Sequence, residues 1–132
     1  MFGFSFWGTL LPLFLLKGTP LVVGVETSAP SRGQWMVSLR DEQGKVLQEW
    51  VVPVALEQGR QNIRLGDRAP GVYTLAIYLD ANKNNRLDKG VLGQPLEPYA
   101  FSNNARALFS APRVEDQRFK HPGGPPVLQV RL

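Results

Sequence analysis

Apolar and polar residues alternate along most of this chain, and that alternation predicts short β-strands with one buried face. The first predicted strand covers residues 21–27, and a hairpin follows over 35–52, with its turn at 41–44. Residues 55–61 fit either a loop or a single helical turn. Alternation resumes at Ile63 and Leu65 in a short strand, and residues 66–71 are rich in turn-forming types.

The most apolar segment, residues 72–79, is predicted to be a strand in the middle of a sheet. It is apolar on both faces apart from Thr74 and two tyrosine hydroxyls, a pattern typical of a strand covered on both sides. The period of two places Tyr73, Leu75 and Ile77 on one face and Ala76 and Tyr78 on the other.

The last third of the chain predicts a long packed loop, a short helix and a final strand. Residues 91–110 are irregular but carry apolar anchors. Pro112 is placed to open a helix through Phe119, and residues 127–132 alternate again. The predicted fold is therefore an all-β, antiparallel sandwich of about seven strands, immunoglobulin-like or transthyretin-like, formed by residues 19–132 as one domain. The anchors of the long loop are Leu92, Leu96, Tyr99, Phe101, Leu108 and Phe109.

Composition agrees with a small folded domain and argues against a nucleic-acid partner. The 132 residues are 43% hydrophobic and 20% charged, and they contain no cysteine. Disulfides and thiolate metal sites are therefore excluded. The net charge of +4 is scattered, without the basic stripe that nucleic-acid binding requires.

Residues 2–16 form an uncharged apolar run, followed by Lys17. Its length suits the hydrophobic region of a secretory signal and is short of the roughly 20 residues of a membrane-spanning helix. We expect residues 1–18 to be a signal peptide or an uncleaved anchor that provides the only membrane contact. A start codon placed too far downstream and a buried N-terminal element are the alternatives. The protein is thus predicted to be exported to the periplasm, the outer membrane or the medium.

The sequence offers little support for catalysis. His121 is the only histidine, and its position in a turn predicts a surface residue. Neither a nucleophile motif of the Gly-x-Ser-x-Gly type nor a phosphate-binding glycine loop is present. No feature selects a pair of carboxylates. A non-catalytic protein is the expectation.

One loop, residues 80–88, has the spacing of a calcium site. Asp80, Asn82 and Asn84 occupy alternate positions, as side-chain oxygens do in a calcium loop. Arg86 would contribute its backbone carbonyl and Asp88 a carboxylate, with Glu97 in place of the missing last ligand. Against a dication stand three cations in or directly beside this loop, Lys83, Arg86 and Lys89, which raise the cost of a nearby dication. The alternative is a turn held by Asx side chains without a metal.

Several spaced motifs resemble the bacterial domain of unknown function 2141 family. They are Pro-Gly-Val-Tyr at 70–73, Asp-x-Asn-x-Asn at 80–84 with Leu-Asp at 87–88, Gly-x-Pro-x-Glu at 93–97 and Phe-Ser-Asn-Asn at 101–104. The resemblance covers about residues 21–132. It implies an exported protein with a prealbumin-like β-sandwich and no known activity. This chain departs from the family pattern at Asn85, Pro98 and Ala100, where the family usually has glycine.

These observations favour an extracytoplasmic interaction module over a calcium-stabilised structural module, and both over a small hydrolase-type enzyme. Loops on a rigid sandwich carry recognition, so the predicted binding edge is the region from Asp80 to Asn104. The expected partner is an extracytoplasmic protein or an envelope component. The binding loop is predicted to contain Tyr99, Phe101, Ser102, Asn103 and Asn104.

Overall fold

A computed structural model describes residues 18–28, 32–87, 89–91, 95, 97–107, 110–123 and 127–132. Eight strands and one short helix account for most of them. The strands are β1 (Thr19–Glu26), β2 (Gln34–Asp41), β3 (Val46–Pro53), β4 (Arg60–Arg68), β5 (Gly71–Asp80), β6 (Tyr99–Phe101), β7 (Phe119–His121) and β8 (Val127–Arg131). The helix α1 covers Val114–Gln117, and a 3-10 turn covers Ser102–Asn104.

The strands form two sheets packed as a sandwich, which confirms the predicted fold class. The smaller sheet has the order β4-β1-β8, and the larger has the order β3-β2-β5-β6, with β7 also paired to β5. Because β6 and β7 contact different halves of β5, they share one side of that strand. No helix in the described part of the chain is long and apolar enough to cross a membrane.

The core lies between the sheets and is built from alternate residues of their strands. Trp35 and Leu39 of β2 and Leu75 of β5 are fully inaccessible to solvent. Burial of each such side chain away from water stabilises the folded state by about 1.5 to 3 kcal/mol. The indole N–H of Trp35 is satisfied within the protein, since it donates to Oε1 of Gln61 at 2.8 Å. The remaining core residues are Leu21, Val23, Val25, Val37, Ile63, Leu65, Ile77, Leu79, Ala100 and Val130.

The predicted first strand, hairpin and central strand are all confirmed, with boundaries that differ slightly. In the hairpin turn, Oδ1 of Asp41 accepts the backbone N–H groups of Gln43 and Lys45, both at 2.9 Å. The central strand β5 buries Leu75, Ile77 and Leu79 on one face, where Tyr73 is half-buried. Its other face is buried at Thr74 and half-buried at Ala76 and Tyr78. The prediction that β5 is buried on both faces is therefore only partly met, because its outer face is incompletely buried.

The turn before β5 differs from the sequence prediction, and the segment before β4 resolves an open alternative. Strand β4 continues to Arg68, so the chain reverses at residues 69–70 instead of over 66–71. Gly66 adopts a φ of 78° inside β4, where the pairing with β1 shifts register. A left-handed glycine is typical of one class of β-bulge. Residues 55–59, which the sequence left open between a loop and a helical turn, are a loop, and β4 begins at Arg60. The loop ends in a tight turn in which Gln58 and Gly59 both have positive φ.

The end of the chain also departs from prediction. The long loop contains β6, because the small side chain of Ala100 fits into the core opposite Ile77. The helix is shorter than the predicted 112–119, since Arg118 returns to extended backbone and Phe119 pairs with Tyr73. Strand β8 runs parallel to β1, so the sandwich is not wholly antiparallel. Four of the predicted loop anchors, Leu92, Leu96, Leu108 and Phe109, lie outside the described residues, as does the 1–17 segment.

His121 is not the surface residue that its turn-like context predicts. It is the last residue of β7 and is only 6% exposed. Its Nε2 lies 3.0 Å from the carbonyl oxygen of Thr19 and 3.1 Å from that residue's hydroxyl. Its ring also packs edge-on against Tyr73. The pairing of β7 with β5 draws this histidine under the start of β1, which no local pattern could indicate.

Candidate functional site

The polar loop after β5 is organised around the carboxylate of Asp80, which is completely buried. Oδ2 accepts the backbone N–H of Asn85 and the Nε2–H of Gln34, both at 2.8 Å. Oδ1 accepts the backbone N–H of Asn84 at 3.2 Å. Hydrogen bonds to an ionised group are each worth about 1.5 to 3 kcal/mol. The charge of Asp80 is thus stabilised by donors that fold the loop back on the strand.

Three further side chains in or near this loop, those of Asn82, Asn84 and Glu97, also accept backbone N–H groups. Oδ1 of Asn82 accepts from Asn84 at 3.2 Å, and Oδ1 of Asn84 accepts from Arg86 at 3.1 Å. Glu97 does return to the loop, where its Oε2 accepts the N–H of Ala81 at 2.9 Å. The structure therefore contains the Asx-bonded turn that the sequence offered as the alternative to a calcium loop.

Calcium binding by this loop stays a prediction. Among the residues that the structure describes, no three histidine, cysteine, aspartate or glutamate side chains come together. Asp88, the second predicted carboxylate, lies outside those residues. Asp80, Asn82, Asn84 and Glu97 use oxygen atoms to order the backbone. Any ion there would have to share these oxygens with N–H donors.

The Ser-Asn-Asn segment predicted to be part of the binding loop ties three elements together. The buried hydroxyl of Ser102 accepts the N–H of Leu75 at 3.0 Å and donates to the carbonyl of Gln117. Nδ2 of Asn103 donates to the carbonyl of Arg118 at 2.6 Å, and Oδ1 of Asn104 accepts the N–H of Arg131 at 2.8 Å. These side chains hold β5, α1 and β8 in place.

Both asparagines of this segment have positive φ, 61° at Asn103 and 53° at Asn104. Asparagine tolerates this backbone region better than most residues, which explains its use here. Nearby, Asp116 accepts hydrogen bonds from Arg113 at the start of α1, and this contact raises the pKa of the exposed guanidinium.

The two aromatic residues of the predicted binding loop face outward on the larger sheet. Tyr99 lies opposite Tyr78, and Phe101 lies opposite Ala76, so their rings stand on the side of the sheet away from the core. Tyr99 contacts Phe101 edge-on at 6.0 Å between ring centroids, and the guanidinium carbon of Arg106 lies 5.6 Å from its ring centre. We define the aromatic face as Met36, Tyr78, Tyr99, Phe101 and Arg106.

A polar groove of about 860 Å³ lies on the outer side of the smaller sheet. Gly24 is part of its lining, and Asn62 and Gln129 lie opposite this glycine on the neighbouring strands. Glu26 lies between Arg60 at 3.7 Å and Arg131 at 4.0 Å. These exposed ion pairs reduce the positive charge of the arginines, so the groove is polar without being strongly cationic.

Sequence reasoning missed Gln34, which donates to both Asp80 and the side chain of Asn85. Gln34 and Asp80 lie opposite each other in the β2–β5 ladder, and only that register brings them together. Arg106 was also missed, because its contacts depend on the tertiary structure. Its guanidinium donates to the carbonyls of Tyr99 and Arg131, one in each sheet. Neither residue stands in a local motif that would single it out.

A family model of uncharacterized proteins conserved in bacteria (DUF2141) matches residues 23–127. The chain belongs to this family. The match runs from within β1 to the start of β8, so the DUF2141 region includes the Asp80 loop, the Ser-Asn-Asn turn and the aromatic face. Asn85 has a φ of 65°, which accounts for the glycine that the resemblance led us to expect there. No curated protein and no solved structure gives a significant match.

Proposed function

We propose that this DUF2141 domain is an extracytoplasmic interaction module that binds a protein partner through the aromatic face and has no catalytic role. The observation that carries the proposal is the composition of that face. A sheet in a two-layer sandwich usually alternates apolar residues inside with polar residues outside. Here β5 and β6 place Tyr78, Tyr99 and Phe101 on the outer side.

The chemistry of the aromatic face suits a protein partner. Tyrosine, phenylalanine, methionine and arginine are the types enriched at the centres of protein interfaces, where a few large side chains carry most of the binding energy. The five side chains lie on or next to three neighbouring strands, and Arg106 orients the ring of Tyr99. A rigid sheet that holds these groups loses little conformational entropy on binding.

The position of the aromatic face also supports the proposal. The Asp80 loop follows the end of β5, and the Ser102–Asn104 turn directly follows β6, so both internally bonded segments border the face. Their hydrogen bonds fix the ends of the strands that present the rings. In this proposal the loop region between Asp80 and Asn104 serves as a support for the binding surface, and Tyr99 and Phe101 are its contact residues. The extracytoplasmic location rests on the apolar segment 2–16.

Site-specific photo-cross-linking in the bacterium that encodes the chain tests the proposal. A photoreactive phenylalanine analogue at position 101 should give a discrete adduct with an exported protein. The same analogue at Val91, which is fully exposed and outside the face, is the matched control. Tyr99→Ser, introduced beside the probe, should reduce the adduct by about tenfold because truncating an interface aromatic costs at least 1 to 2 kcal/mol.

Equal adduct yields at positions 101 and 91, or adducts only with cytoplasmic proteins, would contradict the proposal. Circular dichroism spectra that match the wild type show that each variant is folded, so that a changed adduct yield reflects binding.

A further inference from the structure

The free edges of the two sheets differ in how well they are protected against pairing. Strands β6 and β7 have three residues each, which is too short to template another strand effectively. Strand β4 alternates exposed charged or polar residues along its length, including Arg60 and Arg64. Strand β3 is longer and less polar; its pairing with β2 is irregular at Leu47, so the regular part of its open edge runs from Gln48 to Pro53. Over eight residues it exposes Val46, Leu47 and Val51 by 46%, 50% and 54%.

The hydrogen-bond pattern shows which backbone groups of β3 face its open side. Val54 donates its N–H to the carbonyl of Gly33 at 3.2 Å, directly beyond the Gln34–Pro53 pair. Bonded and non-bonded pairs alternate along an antiparallel ladder. Val52 and Trp50 therefore bond to β2, whereas the N–H and C=O groups of Glu49 and Val51 point away from it. Among the described strands, β3 pairs with β2 alone.

We propose that β3 pairs with β3 of a second copy, in antiparallel orientation about a two-fold axis at Trp50. The sequence of the strand is self-complementary in this register. Glu49 then lies opposite Val51 of the other copy, so the outward donors and acceptors of both residues are satisfied. Pro53, which lacks an N–H, falls at the end of the strand.

Charge disfavours the neighbouring register that is centred on Glu49. An axis at Glu49 would place the two Glu49 carboxylates directly opposite each other, and like charges in that position destabilise a sheet. An axis at Trp50 instead places each carboxylate beside an exposed valine. The two larger sheets would join into one continuous sheet, and the interface would be the same patch on both copies, as two-fold symmetry requires. This interaction uses the β3 edge and is independent of the aromatic face.

The register makes a precise geometric prediction at Trp50. That residue meets its own symmetry mate in a non-bonded pair, where Cα atoms are about 4.5 Å apart. This separation is within the range that a disulfide spans. The chain contains no cysteine, so a single introduced thiol can report on this contact.

Disulfide trapping and sedimentation together test the proposal on the full chain. Trp50→Cys should form a covalent dimer under mild oxidation, whereas Val91→Cys, whose side chain is fully exposed, should do so at least tenfold more slowly. Because Trp50 packs against the core, a second variant avoids any loss of folding. Val51→Lys places a charge on the open edge and should weaken self-association at least tenfold in sedimentation equilibrium, with Val91→Lys as its control.

Three results would overturn the inference. They are a monomeric wild type at 100 µM, self-association that Val51→Lys leaves unchanged, and a folded Trp50→Cys variant that cross-links no faster than Val91→Cys. If Trp50→Cys formed adducts with another protein in place of its own copy, the edge would be a site for a different partner and the two-fold pairing would be wrong.

Discussion

Replacement of Asp80 by alanine should destabilise the domain strongly, and by the same amount with and without calcium. The buried carboxylate accepts three hydrogen bonds, at 2.8, 2.8 and 3.2 Å, from Gln34, Asn85 and Asn84. Charge-assisted bonds contribute about 1.5 to 3 kcal/mol each, but the freed N–H groups at the loop surface can reach water. We therefore expect a net loss of about 3 kcal/mol in the free energy of unfolding.

Asn82→Ala is the matched control within the same loop. Asn82 is exposed, and its Oδ1 accepts the N–H of Asn84 at 3.2 Å, so the loss of this uncharged hydrogen bond should cost about 1 kcal/mol. Urea denaturation measures both losses, and a thermal melt should show a fall of about 10 °C for Asp80→Ala. Each variant is measured in millimolar calcium and in chelator.

The measurements with calcium and with chelator distinguish a calcium site from a hydrogen-bonded turn without a metal. An ion that binds only the folded state would stabilise the wild type by about 2.7 kcal/mol at 100 times its dissociation constant. The hydrogen-bonded turn predicts coincident wild-type curves and equal losses in both conditions. A calcium-dependent rise in the wild-type melting temperature that Asp80→Ala abolishes would refute this reasoning, as would a loss below about 1 kcal/mol.

Two further predictions concern the core and the export of the chain. Ile77→Ala should cost about 2 to 5 kcal/mol in urea denaturation, because Ile77 is 1% exposed between the sheets, and a loss below about 1 kcal/mol would mean that β5 is not central. Fractionation of a tagged chain should place it in the periplasm, the outer membrane or the medium, because of the apolar residues 2–16, and a wholly cytoplasmic, uncleaved product would contradict export.

Features set by neighbouring residues could be predicted from the sequence. The alternation of Trp35, Val37 and Leu39 indicates a strand because successive side chains point to opposite faces. The Asp41 turn and the Asx bonds of the Asp80 loop connect residues two to five positions apart. Such contacts depend on local backbone geometry, so composition and spacing suffice to propose them.

The tertiary structure alone decided the contacts between distant residues. His121 meets Thr19 across 102 positions, Gln34 meets Asp80 across 46, and Ser102 reaches Leu75 across 27. The parallel β1–β8 pair and the open edge of β3 also depend on which strands become neighbours. Strand order is fixed by the packing of the whole core, and alternation within one strand reports only which of its faces is buried.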